Sequence, residues 1–290
     1  VPLVVGGGNK RLSLPQYGHF GKDASMVSEH TKNRPSPQDA AKRLMALRYV
    51  VGYALATPPP DLLKPAFDNW DESDRIEFAH DAQRIRDEFW EPVRASPLWD
   101  AMSPREKQFA ETTVVTMSAQ QHIDFTWRLE AMMVLMWAME LLPELPPYDA
   151  PATPELLEKL PAVTFDRLVR EARLRPDAEI DHARSLAELW HWRSRNQELI
   201  ENNHPFPADP NLKAAGLESF DDIVRATARL CDQEGSVPVL DEDFAAYGKA
   251  YRDLSPEEWG EVRSASMERH FTLNWLCGYA PDNQRDETPT

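Results

Sequence analysis

Hydrophobic residues recur at helical spacing along most of the chain from residue 36 onward. In residues 38–56, apolar side chains follow one another three and four positions apart, which is typical of one buried helix face. Residues 74–89 show the same spacing with fewer apolar and more polar residues, so they are predicted to form a second helix. Its predicted inner stripe consists of Ile76, Ala79, Ile85 and Phe89.

Proline and serine residues divide the rest of the chain into further helices. Three consecutive prolines at 58–60 stop the first helix, and Ser103 with Pro104 and Glu106 has the spacing of an N-terminal capping box. Ser255 repeats this arrangement before the last helix. Further helices are predicted over residues 104–117, 165–172, 178–202, 220–233, 244–252 and 256–277, with a short one starting at residue 154. Only residues 237–240 alternate like a strand, and that run is too short to matter.

The most apolar part of the chain is the run of residues 131–139, which includes four of the nine methionines. A helix that is apolar on every side must be enclosed by other helices. Methionine also lines adaptable binding grooves, which is the alternative interpretation of this run. The sequence predicts an all-α fold, a single multi-helix globular domain around a buried central helix from about Ser118 to Leu142.

Two charged residues, Arg128 and Glu130, directly precede the apolar run. If this turn is enclosed, both charges must be paired or strongly hydrogen-bonded. They are two positions apart and point to different sides of the helix, so each needs a partner from another helix. They are either two buried ion pairs that fix the helix register or the polar part of a ligand site.

The ligand hypothesis predicts a pocket lined by tryptophan, with charged and amide groups converging on it. Ordinary core packing of the same residues is the competing interpretation. The candidate pocket consists of Arg128, Glu130, Trp192, Arg195, Glu268, Arg269, Asn274 and Trp275.

Metal and catalytic signals are weak. The pattern Glu-x-x-His occurs three times, at Glu77/His80, Glu179/His182 and Glu188/His191. Di-iron bundles use two such pairs from different helices, and Glu188 with His191 are the weak metal candidates here. The sequence has neither a nucleophile elbow nor a phosphate-binding loop, so the catalytic residues and any cofactor stay unknown and enzyme activity stays an open question.

The net charge is −16, with 48 acidic residues against 32 basic ones. Such a surface repels phosphate backbones, which argues against nucleic acid and favours a basic protein partner, although acidity also serves solubility. The two cysteines, Cys231 and Cys277, suit reduced thiols in a cytoplasmic protein. The longest apolar run is too short to span a bilayer, so no membrane association is expected.

Three segments differ in composition. Residues 1–36 lack helical periodicity, and residues 1–25 are interpreted as an expression tag or an upstream extension from a misassigned start, with a functional tail as the alternative. Residues 37–280 form the predicted helical domain, and residues 281–290 form a C-terminal tail.

Several segments resemble the bacterial domain of unknown function (DUF) family 4272 over roughly residues 37–280. They are residues 98–107, 127–138, 191–195 and 268–279, which contain the WRLEA, HW and ERH motifs. Leu189 departs from the resemblance, because the family usually has an arginine there, and the C-terminus lacks the usual Trp-Asp pair. The resemblance implies a helical, cytoplasmic, bacterial protein and no known activity.

The sequence is compatible with two functions. The first is a non-catalytic binding or interaction protein, an acidic partner of a basic protein. The alternative is a helical enzyme or small-molecule binder that uses the buried Arg/Glu/Trp cluster, with or without a di-metal Glu-x-x-His site.

Overall fold

A computed structural model describes residues 2–4, 11–13, 34–161 and 164–280. The predicted tail at 281–290 and most of the predicted extension at 1–36 lie outside the described residues. The helices are α1 (Pro37–Ala56), α2 (Pro60–Asp68), α3 (Glu72–Arg94), α4 (Pro104–Phe109), α5 (Ala119–Thr126), α6 (Arg128–Ala138), α7 (Phe165–Glu171), α8 (Asp177–Glu201), α9 (Pro210–Ala214), α10 (Phe220–Glu234) and α11 (Pro256–Leu276), with 3₁₀ turns at Pro154–Lys159 and Tyr251–Asp253.

The strands are short and form two small antiparallel sheets. They are β1 (Pro2–Val4), β2 (Arg11–Ser13), β3 (Val239–Leu240), β4 (Asp243–Ala246) and β5 (Lys249–Ala250). Strand β1 pairs with β2, and β3, β4 and β5 form a three-stranded meander in chain order. The fold is therefore a predominantly helical single domain, as predicted.

Helix α6 lies at the centre of the core. Every residue from Arg128 to Ala138 is buried, and α1 and α11 both pack against it. Helix α11 also packs along α8, which places α11 between the central helix and the second core cluster formed by α8, α10 and the meander. The prediction of an enclosed helix is therefore confirmed for Arg128–Ala138, whereas in α5, the first part of the predicted central segment, only Phe125 is buried.

The central segment is two helices rather than the single one predicted. Ser118 begins α5 with the expected capping box, and Trp127 then separates α5 from α6. Helix α6 ends at Ala138, short of Leu142, because Glu140 adopts a left-handed conformation (φ 61°) that no helix can continue through. The Leu141 amide then bonds back to the Met136 carbonyl at 2.8 Å, which closes the helix end.

The predicted inner stripe of α3 is wrong in part. Ile76 and Ile85 are 52% and 55% exposed, and the buried residues are instead Ala82, Trp90 and Val93. The first half of α3 does not reach the core, because it packs on α2, a helix that the sequence pattern did not predict. Burial therefore begins only where α3 runs under α1.

The predicted helix over residues 244–252 is also wrong. Asp241 and Glu242 (φ 48° and 61°) form one tight turn, and Tyr247 and Gly248 (φ 54° and 69°) form the next. Two successive positive φ angles are the geometry of hairpin turns and cannot occur in a right-handed helix. The chain therefore folds into the β3–β4–β5 meander, and the strand signal at residues 237–240 was real.

The remaining differences concern one helix end and two short helical segments. Helix α4 ends at Phe109 rather than near residue 117, and the short helix α9 was not predicted. The segment starting at residue 154 is a 3₁₀ turn. The predicted positions of α1, α7, α8, α10 and α11 agree with the structure to within two residues.

Because α6 is completely enclosed, truncating one of its side chains leaves a cavity. We expect Leu135→Ala to lower the free energy of unfolding by about 2–5 kcal/mol, since Leu135 is fully buried. Leu62→Ala is the matched control, because Leu62 is 74% exposed and its truncation changes stability by about 0.5 kcal/mol or less. Urea denaturation measures both, and similar losses in the two variants would contradict the central position of α6.

Candidate functional site

Arg128 forms an ion pair with Glu268 between α6 and α11. Arg128 Nη1 donates to Glu268 Oε2 at 2.8 Å, and the two side chains are only 6% and 5% exposed. The pair joins the first turn of the central helix to the middle of the last helix. The sequence required a partner for Arg128 from another helix, and α11 supplies it.

Glu130 forms the second ion pair between the same helices. Its Oε2 accepts from Arg269 Nε at 2.7 Å, and its Oε1 accepts from the Ala152 amide at 2.6 Å. Arg269 Nη1 also donates to the Pro146 carbonyl at 2.6 Å, and its guanidinium lies 4.6 Å from the ring centre of Tyr148. Both charges are therefore bonded on several sides, and the loop over residues 146–152 is held against α11.

A third buried pair, between Arg43 of α1 and Glu106 of α4, extends the first one. Arg43 Nη2 donates to Glu106 Oε1 at 2.5 Å, and Arg128 Nε lies 3.9 Å from the same oxygen. Burial would raise the pKa of Glu106, but Arg43, with help from Arg128 and the Ser103 amide, outweighs it and lowers that pKa to about 2. Charges of alternating sign thus run from Arg43 through Glu106 and Arg128 to Glu268.

Sequence reasoning missed this extension. Glu106 was recognised only as the partner of Ser103 in the capping box, and that box is present, with the Ser103 amide donating to Glu106 Oε2 at 2.9 Å. Arg43 lies on the apolar face of α1, one position before Leu44. A charge within a buried stripe was the available signal.

A fourth buried pair lies in the second core cluster. Arg193 of α8 holds Asp243 through two hydrogen bonds of 2.7 and 2.8 Å, and both side chains are almost fully buried. The Phe244 and Arg252 amides donate to the same carboxylate. Asp243 therefore fixes the meander on α8, and no sequence pattern pointed to it.

The other four candidate residues do not join the two central ion pairs. Trp192 is half-buried near Phe244, Trp275 is buried in the main core, and Arg195 is half-exposed and bonded to Glu198. Asn274 lies within the interior, where its side-chain oxygen accepts from Arg184 Nε at 2.7 Å. The structure therefore brings Arg128, Glu130, Glu268 and Arg269 together as two pairs and distributes the remaining candidates elsewhere.

His191 and His270 face each other across α8 and α11, with their Nδ1 atoms 3.0 Å apart. Burial, followed by the nearby Arg195 and Arg263, lowers the pKa of His191 to about 3, and burial also lowers the pKa of His270 well below its usual value. Both imidazoles are therefore neutral near pH 7, and one Nδ1 donates to the other. Two protonated rings would place N–H groups against each other.

The Glu-x-x-His pairs do not come together. Glu188 is bonded to Arg184, whereas His191 is bonded to His270. The side chains of the other two pairs are exposed; they are Glu77, His80, Glu179 and His182. Within residues 34–161 and 164–280, no group of three or more His, Cys, Asp or Glu side chains is placed to hold a metal ion.

An open cleft of about 350 Å³ lies between α2 and the loop that leads into α5. One wall contains Asp61, Leu63, Lys64 and Phe67, and the other contains Val114 and Val115. The sequence did not indicate this cleft, since its two walls come from separate segments and α2 was not predicted. None of the candidate pocket residues lines it.

Comparison with known proteins gives a family and nothing further. Residues 23–215 match the model of a family described as a domain of unknown function, DUF4272. The matched range includes α6 and the HW motif of α8, whereas the ERH motif of α11 lies beyond it. No curated protein and no solved structure matches the chain. In the part of the chain that the structure describes, every helix is too short or too polar to cross a membrane.

The Glu130–Arg269 pair provides a direct test of buried charge. We expect Arg269→Met to lower the free energy of unfolding by about 3–5 kcal/mol, because Glu130 stays buried without its counter-charge. Arg167→Met is the matched control, since Arg167 pairs with Glu171 in solvent and its loss costs about 1 kcal/mol or less. Chemical denaturation measures both variants, and equal effects would show that the buried pair is dispensable.

The histidine pair makes stability depend on pH. Unfolded histidine binds a proton near pH 6.5, whereas folded His191 does so only near pH 3, so stability falls as the pH decreases through this window. The expected slope is up to about 1.4 kcal/mol per pH unit for each imidazole. Denaturation at several pH values between about 7 and 5, above the range in which carboxylates titrate, measures it.

His191→Gln separates this contribution from other titrations. It removes one of two neutral imidazoles, so the slope is expected to fall by about half. His80→Gln is the control, because His80 is exposed, and its slope should match that of the parent chain. A slope unchanged in His191→Gln would assign the pH dependence to other groups.

Proposed function

Because this chain belongs to the DUF4272 family, whose description assigns no activity, we propose from its own charges that it is a non-catalytic binding protein for a basic protein partner. The resemblance to bacterial sequences and the buried, unpaired thiols of Cys231 and Cys277 support a bacterial, cytoplasmic setting. Burial raises the pKa of Cys277 to about 12, which makes this thiol a poor nucleophile.

The observation that carries the proposal is the neutrality of the interior. Four arginines and four carboxylates are the buried charged residues of the described chain, so their charges cancel. They are Arg43, Arg128, Arg193, Arg269, Glu106, Glu130, Asp243 and Glu268. The net charge of −16 is therefore carried by residues outside this interior, where it attracts basic partners.

The alternative function, an enzyme or small-molecule binder that uses the Arg/Glu/Trp cluster, has less support. Arg128 and Glu130 each bond to a charged partner on α11, and their geometry is that of ion pairs which hold two helices in register. A ligand would have to displace these contacts in order to bind. His191 of the HW motif could act as an acid or base, but it is buried against His270.

Affinity capture tests the proposal. The immobilised chain is expected to retain basic proteins from a lysate of its native host at about 0.05 M salt and to release them by about 0.3 M, because screening weakens surface attraction. An unrelated protein of similar size and net charge is the control column. Each retained protein is then purified and mixed with the chain, and a complex is sought by size-exclusion chromatography.

The outcome must distinguish a partner from general charge attraction. A basic protein that the chain retains, that the control column does not retain, and that co-elutes in purified form supports the proposal. Identical sets on both columns, or retention that is indifferent to salt, would refute it.

A further inference from the structure

Helix α2 is not part of the core. None of its nine residues is buried, and Leu62 is 74% exposed. Its aromatic contacts are local, since Phe67 lies 5.8 Å from Trp70 and 6.0 Å from Phe78, measured between ring centres. A helix that packs so little of its apolar surface on its own chain is suited to packing on another.

Apolar side chains line both walls of the cleft beside α2. Leu63 and Phe67 face Val114 and Val115 across it, and all four side chains are only half-buried. The polar groups in its walls are mostly exposed, as Asp61 is, rather than buried and directed inward. Small-molecule sites orient a ligand with a few precisely placed polar groups, whereas an open cleft that mixes half-buried apolar side chains with exposed charges is typical of protein docking.

The stretch of chain that forms one wall of the cleft and continues into α3 is strongly acidic. We call residues 58–81, which comprise α2 and the start of α3, the acidic segment. It contains seven carboxylates and two basic side chains. The carboxylates are Asp61, Asp68, Asp71, Glu72, Asp74, Glu77 and Asp81. A partner that approaches this surface is favoured if it is basic.

Exposed apolar side chains concentrate in the same part of the fold. Six large hydrophobic residues are exposed in the described chain, and four of them lie on α2, α3 and α5. These four are Leu62, Ile76, Ile85 and Ile123. Helix α5 contacts α2, and its His122 Nε2 lies 3.1 Å from the Thr57 carbonyl oxygen just before the acidic segment. Single exposed apolar residues are ordinary, but a concentration of them indicates an interaction surface.

We propose that the cleft between α2 and residues 114–119 is where a basic amphipathic segment of a partner protein docks. This inference rests on the proposed function and assigns it a location. The apolar side of the partner segment packs on Leu63, Phe67 and Val115, and its lysines or arginines lie against Asp61 and Asp68 at the edges. The burial of both kinds of surface together gives selectivity over a peptide that is only basic.

A labelled peptide and full-length variants test the location. The probe is a fluorescein-labelled amphipathic helical peptide of lysine and leucine, and fluorescence anisotropy measures its affinity for the chain. A lysine–serine peptide and a glutamate–leucine peptide are the comparison probes. The parent chain is expected to bind the lysine–leucine peptide at least about tenfold more tightly than either of them.

Two variants then localise the binding. The double variant Asp61→Asn with Asp68→Asn removes two negative charges from the cleft. The variant Leu63→Ser removes an apolar side chain from its wall. Each is expected to weaken binding of the lysine–leucine peptide by about fivefold or more. The matched control is Asp232→Asn with Glu234→Gln, which makes the same charge change on exposed residues of α10 and should alter affinity by less than about twofold. Circular dichroism confirms that each variant is folded, and the aspartate variant stays informative if Leu63→Ser is not.

Different results would refute the docking site and the proposed function. If the control variant weakens binding as much as the cleft variants do, or if neither cleft variant weakens it, the cleft is refuted and the proposed function stands. If the parent chain does not prefer the lysine–leucine peptide over the glutamate–leucine peptide, the proposed function is refuted together with the cleft.

Discussion

The two ion pairs between α6 and α11 determine how the two main helices of this protein fit together. A charge removed from water is tolerated only when its counter-charge is in place, and both pairs are almost completely buried. Arg128 and Glu130 both reach α11, where their partners Glu268 and Arg269 are neighbours. A rotation or shift of either helix would leave charges buried alone, so these pairs hold one register where apolar packing alone would accept several.

The same constraint extends to other helices. Glu106 serves both as the capping residue of α4 and as the carboxylate between Arg43 and Arg128, so the start of a short surface helix is coupled to the central one. Arg193 and Asp243 repeat the device in the second cluster, where one carboxylate fixes a whole meander. Charged residues in this interior are therefore explained by architecture, which removes much of the reason to expect catalysis from them.

The sequence predicted the part of this fold that depends on local pattern. The enclosed α6 and the need of Arg128 and Glu130 for partners on other helices both follow from composition and spacing. The identity of those partners does not, because α11 is far away in sequence. The meander was not predicted for a different reason, since its turns place Glu242 and Tyr247 at positive φ angles that these residue types rarely adopt. The burial of Ile76 was predicted wrongly because helical periodicity shows which side of α3 is apolar and not whether anything packs on it.

That last failure carries functional information. In most proteins the apolar stripe of a helix packs against the core. Where it stays exposed instead, the exposed stripe is often part of a functional surface. Here the departure lies on α2 and the start of α3, where apolar residues stay exposed among carboxylates. The conspicuous buried charges instead agree with the fold once their partners are known. The charged residues that stand out in the sequence therefore have partners within the fold, whereas the acidic segment keeps apolar and acidic surface exposed, to which a partner would contribute both apolar area and positive charge.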